Sequence, residues 1–123
     1  MLIEGLYEIT AFDHEACEVS ATVKLNKHHR IFEGHFPGHP VLPGVCVIQM
    51  VQELTEKALG KTLLLTVASN VKFMAVINPE KNETIHFNLE LMEVEGETKV
   101  KNSVRFDETL ALKLNATFKN ADK

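Results

Sequence analysis

Only two cysteines, Cys17 and Cys46, occur in 123 residues. They are too few for a secreted disulfide scaffold or a paired zinc motif, so two reduced, partly buried thiols are expected. No run of eighteen apolar residues occurs, and no basic leader precedes an apolar stretch over Met1 to Gly5; a soluble, cytoplasmic protein that does not enter a membrane is expected. Positive charge is also scarce. Thirteen Lys and Arg stand against seventeen Asp and Glu, a net charge of -4, which argues against general nucleic-acid binding. Repeats and low-complexity linkers are missing, so residues 1–123 are read as a single domain with Lys119 to Lys123 as a frayed tail.

Hydrophobic residues make up 45% and charged residues 24%, ordinary values for a chain that buries a core. Leu2 to Phe12 is rich in apolar and β-branched residues, and Val19, Ala21, Val23 and Leu25 alternate with polar neighbours, predicting two strands. Lys27 to Pro43 is a loop whose prolines and glycines exclude regular helix and central strand. From Pro43-Gly44 the period becomes helical, with Val47, Val51, Leu54 and Ala58 on one face and a stop near Gly60. Leu63 to Ile77 reads as a strand. Strands carrying Ile85 to Leu91, Val100 to Phe106 and Leu110 to Phe118 follow, separated by turns at Glu95-Gly96-Glu97 and Asp107-Glu108. The product is an α+β roll, one long helix covered by an antiparallel sheet, whose edges invite pairing with a second copy.

The informative stretch runs from Ile31 to Glu53 and contains Gly34-His35-Phe36-Pro37, then Pro40-Val41-Leu42-Pro43-Gly44. It resembles the signature of the β-hydroxyacyl-acyl-carrier-protein dehydratases. Val71-Lys72-Phe73 with Ile77-Asn78-Pro79 supports the resemblance, although Glu80 stands where a glycine is usual. The resemblance implies a hot-dog fold, a dimer with a continuous sheet, a substrate that is an acyl thioester on acyl carrier protein or coenzyme A, and no cofactor or metal.

Dehydration of a 3-hydroxyacyl thioester needs a base for the C2 proton, an acid for the departing hydroxyl, and donors for the thioester oxygen. His35 is the natural base, since imidazole titrates near neutrality and a Gly/Pro-rich loop can fix its ring; a structural loop histidine is the plain alternative. Gly44 and Val45 open the helix, where free N–H groups could bind the thioester carbonyl, unless Pro43-Gly44 merely starts the helix. Phe36 and Pro37, beside His35, join Gly44 and Val45 as substrate-binding candidates.

At position 49 the resembling enzymes carry Glu or Asp, contributed from the subunit opposite to the histidine. Here it is Gln49, whose amide cannot donate a proton as an acid does. Its apolar neighbours favour a site position, against the alternative that it heads a polar stripe with Gln52, Glu53 and Glu56. Glu53, one turn further on, is the candidate substitute acid, and our expectation is that it does not fill that role; Glu33 is weaker still. The histidines His28, His29, His35 and His39 invite a metal reading, which the lack of cysteine ligands in the loop and the resemblance both oppose. Lys27 and Arg30 belong to a basic run that could dock an acidic carrier. Three classes survive: a dehydratase with His35 as base, a hot-dog acyl thioesterase, and a non-catalytic or half-catalytic partner in a hetero-oligomer.

Overall fold

The structure is a computed structural model, and it describes residues 5–32 and 41–121. Strands β1 (Tyr7–Glu15) and β2 (Glu18–Leu25) lead through a single 3-10 turn at Arg30–Phe32 to helix α1 (Gly44–Leu59). Four further strands follow: β3 (Leu63–Phe73), β4 (Thr84–Val94), β5 (Glu97–Phe106) and β6 (Thr109–Asn120). All six strands form one antiparallel sheet in the order β1-β2-β4-β5-β6-β3. After the helix the chain therefore crosses to the far edge, and the three hairpin-linked strands fill the middle.

Period-two patterning decides which face is covered. Val19, Ala21 and Val23 on β2, Ile85, Phe87 and Leu89 on β4, and Leu112, Leu114 and Phe118 on β6 are buried, while their neighbours, apart from buried Ala111, are more exposed. Against them α1 lays Cys46, Val47, Met50, Val51, Leu54 and Thr55, a stripe at helical spacing. At roughly 1.5 Å per residue a helix of this length runs about 24 Å, enough to cross the sheet. Gly60 stops it at φ 69°, a left-handed conformation that costs glycine little, with its N–H donating to Glu56 O at 2.8 Å. A long helix covered by an antiparallel sheet is the hot-dog arrangement.

Three expectations need correction. The segment Lys119-Asn120 is no frayed tail: Leu63 pairs with Asn120 and Leu64 with Lys119, because β3 has only β6 to bond to. Cys17 is exposed rather than partly buried, since it sits in the tight turn joining β1 to β2, whereas Cys46 is in the core; both thiols are free. Strand β3 ends at Phe73, short of Ile77, because Met74 and Ala75 both turn their N–H groups onto Ala111 O. The edge it leaves is apolar and uncovered: Leu64, Val67, Phe73 and Val76 are 50%, 52%, 62% and 61% exposed.

Candidate functional site

Helix α1 begins after Pro43, which supplies the extended backbone of the cap position but no side-chain acceptor. Among the described residues, the N–H groups of Gly44 and Val45 meet no backbone partner, whereas those of Cys46 and Val47 both reach Pro43 O. Val45 is 74% exposed. Among the described residues these two backbone donors, augmented by the positive end of the helix dipole, are left for an oxygen carrying partial negative charge. Beside them lies an apolar cleft of about 390 Å³ lined by Leu42, Val47, Met74, Val76 and Ile77 among others.

Phe73 closes one side of that cleft. A Cβ placed on Gly44 would come within 2.6 Å of Phe73 Cζ, so the ring occupies the space a side chain would need. Glycine at position 44 therefore answers first to a contact within the chain. The ring itself is mostly exposed and rests on the helix start like a flap.

Five residues further along, Gln49 is half-buried and its Nε2 donates to Glu53 Oε2 at 3.1 Å. Glu53 Oε1 accepts the hydroxyl of Tyr7, on edge strand β1, at 2.5 Å. Both carboxylate oxygens are therefore occupied as acceptors. Burial, then the hydrogen bond to Glu53 and the charges of Glu53 and Glu56, push the Tyr7 phenol far above its ordinary range, so it remains a neutral donor. The structure brings Gln49 and Glu53 together, and Tyr7 with them. Tyr7 carried no signal in the sequence beyond being the chain's single tyrosine, because its partner lies 46 residues away.

The rest of the polar stripe has a mechanical role. Gln52 Nε2 donates to Leu63 O at 2.9 Å, and Glu56 Oε2 accepts the Leu63 N–H at 2.8 Å, fastening the first residue of β3 to the helix. The basic run is held on a turn: Asn26 Oδ1 accepts the His28 N–H and Asn26 Nδ2 donates to Gly5 O, while buried Phe32 anchors the far end. Lys27 Nζ lies 3.9 Å from Glu83, and Arg30 is exposed. His35, Phe36, Pro37, Glu33 and His39 lie outside the described residues. Among the described residues no cluster of His, Cys, Asp or Glu could hold a metal ion, and no helix is long and apolar enough to cross a membrane.

Comparison with known proteins bears directly on this arrangement. Residues 11–115 match the family model described as "ApeI-like: ApeI dehydratase". The chain belongs to the ApeI-like dehydratase family. Among curated relatives, the 3-hydroxyacyl-[acyl-carrier-protein] dehydratase FabZ of Lactobacillus helveticus is 27% identical, over 96% of this chain and 81% of that protein. The corresponding FabZ of Lactiplantibacillus plantarum is 32% identical, over 72% of this chain and 68% of its own. Among solved structures, the dehydratase heterocomplex ApeI:P from Xenorhabdus doucetiae superimposes with a TM-score of 0.76 at 22% identity, over 92% of this chain and 97% of that one. A hypothetical thioesterase with coenzyme A from Streptococcus pneumoniae gives 0.65 at 12% identity, a likeness of fold alone. The hot-dog dehydratase family is thereby established for this ApeI-like chain.

Proposed function

We propose that this ApeI-like protein binds 3-hydroxyacyl thioesters, carried on acyl carrier protein or coenzyme A, and that His35 abstracts the C2 proton in an elimination of water. The observation that carries the reading is the pairing of Gly44 and Val45 N–H groups, which have no backbone partner among the described residues, with an apolar cleft at one helix start. In this reading the two donors hold the thioester oxygen as it gains negative charge, and the cleft takes the acyl chain. Phe36 and Pro37, which follow the base in sequence, are assigned to substrate binding in this reading. Lys27 and Arg30 meet an acidic carrier, and the chain needs neither cofactor nor metal.

The weak step is protonation of the leaving hydroxyl. Gln49 has no acidic proton, and Glu53 has both oxygens committed to Gln49 and Tyr7, so Glu53 is a poor substitute. Lack of a general acid typically costs about 10²- to 10⁴-fold in rate. Mass spectrometry of the full chain with 3-hydroxyacyl carrier protein of several lengths, beside His35→Ala and Gln49→Glu variants, tests this. Water loss abolished by His35→Ala supports the dehydratase; no water loss in any form, Gln49→Glu included, refutes it.

A second reading is favoured by one more observation, the uncovered apolar edge of β3. A second hot-dog subunit paired along this edge would extend the sheet, bury Leu64, Val67 and Phe73, and bring a carboxylic acid to a site that uses His35 of this chain. The Xenorhabdus neighbour is itself a dehydratase heterocomplex, ApeI:P. Turnover that appears only on mixing with an acid-bearing hot-dog subunit supports this reading over a homodimer; full turnover by the homodimer removes it. Hydrolysis of the thioester instead of elimination would identify the third class, a thioesterase.

A further inference from the structure

We infer that Glu53 and Tyr7 act as positioning residues that lock the Gln49 amide with its carbonyl oxygen outward, so that the site recognises the 3-hydroxyl group of an acyl thioester as a hydrogen-bond donor. The inference rests on the thioester-binding reading above and adds which functional group of the ligand is read, and by which atom.

The polarity of its partners decides which way the amide turns. An amide side chain can usually turn either end toward a neighbour, because its NH₂ and C=O groups are alike in size. An ionised carboxylate removes that freedom, since it only accepts. Gln49 must therefore present Nε2 to Glu53 Oε2, where the two atoms lie 3.1 Å apart. Glu53 is in turn held by the Tyr7 hydroxyl on its other oxygen. Tyr7 is anchored on β1, opposite Leu25 of β2. A helix, a carboxylate and an edge strand thus define one orientation of one amide.

The consequence falls on Gln49 Oε1. No hydrogen bond to it is made by any described side chain, and the geometry of the amide turns it away from Glu53. It is a fixed acceptor at the position where the resembling dehydratases carry an acid. An acid there donates to the leaving hydroxyl; this carbonyl oxygen can only receive its proton. The hydroxylated ligand gains a contact that the saturated or unsaturated acyl chain cannot make, so the site holds the 3-hydroxy form in preference to the dehydrated one. Burial and the Glu53 contact keep the Tyr7 phenol protonated, so the clamp does not loosen at ordinary working pH.

Paired probes test this directly: acyl pantetheine analogues with an amide in place of the thioester, which undergo neither elimination nor hydrolysis, with and without a 3-hydroxyl. Isothermal titration of the full chain should show about a tenfold preference for the hydroxylated probe, the worth of one hydrogen bond. Glu53→Met keeps the helix propensity and bulk but removes the acceptor; it should bring the ratio to about one while leaving affinity for the deoxy probe unchanged. Tyr7→Phe should lower the ratio in part, and Glu53→Gln, which can still accept from Gln49, should retain some of it. A merely structural role would weaken both probes alike. Equal affinity of the native chain for the two probes overturns the inference and leaves thioester binding standing, as does a ratio unchanged in Glu53→Met. Failure to bind either probe overturns both.

Discussion

Replacing Gln49 by Glu puts two carboxyl groups where the structure has a donor and an acceptor 3.1 Å apart. Two full charges about 3 Å apart at an effective dielectric of 20 would repel by about 5 kcal/mol. Rotation of the half-exposed side chains relieves most of that, leaving the like-charge i,i+4 penalty of about 0.2–0.5 kcal/mol plus a lost hydrogen bond of about 1 kcal/mol. Gln49→Glu should therefore cost about 1–2 kcal/mol near pH 8, a melting temperature lower by roughly 4–8 °C for a domain of this size. The cost should vanish on acidification. A shared proton raises the folded pKa of the pair above the ordinary Glu value of about 4.3, so the folded variant binds protons more readily than the unfolded one. Stability relative to the native chain is then intact near pH 4.3 and falls as pH climbs through the raised value. Exchanging the pair, with Gln49→Glu and Glu53→Gln together, recreates a donor and an acceptor and should recover most of the loss, a coupling of about 1 kcal/mol in a double-mutant cycle. Scanning calorimetry of the four proteins between about pH 4 and pH 8 reads all of this. A Gln49→Glu deficit that does not change with pH, or no deficit, would refute the Gln49–Glu53 contact.

Three other perturbations have definite outcomes. Tyr7 is the only tyrosine, and its phenol is held far above the ordinary value of about 10; stability is fully present below that value and drains away above it, so phenolate absorbance should stay silent until the protein unfolds cooperatively. A smooth titration centred near pH 10 in folded protein would contradict the Glu53 contact. Gly44→Ala drives a methyl against the tip of the Phe73 ring; because that ring is mostly exposed and can swing aside, the change should cost no more than about 1 kcal/mol by chemical denaturation, a loss that a Phe73→Ala background removes if the ring is the cause. Val67→Lys, on the exposed edge of β3, should leave monomer stability within about 0.5 kcal/mol yet dissociate any edge-paired oligomer in light scattering; an unchanged oligomer mass would place the interface elsewhere.

Much of the fold was legible because its signals are local. Alternation in β2, β4 and β6 and the 3.6-residue period of α1 each report a single buried face, and Gly60 lies where a left-handed cap is needed. What local patterning does not contain is pairing across the sheet. Leu63 to Phe73 reads as apolar, yet β3 buries only Leu63, because its far side has no strand beside it. For the same reason Lys119 and Asn120, polar and close to the end, read as tail although they bond to the start of β3.

The site divides along the same line. Gly44, Gln49 and Glu53 stand on one helix, so their spacing of five and four residues announced that the last two share a face. Tyr7 is brought to them only by the docking of edge strand β1 against that helix. With it the meaning of Glu53 changes: as an isolated carboxylate one turn from Gln49 it invited the role of replacement acid, whereas with Tyr7 on one oxygen and Gln49 on the other it is an acceptor twice over. A carboxylate one helical turn removed from the position of the missing acid does not restore the missing proton; it fixes the polarity of the amide that took the acid's place, and the exchange variant, which moves the carboxylate back by about 6 Å along the helix axis, asks whether that polarity alone separates binding from turnover.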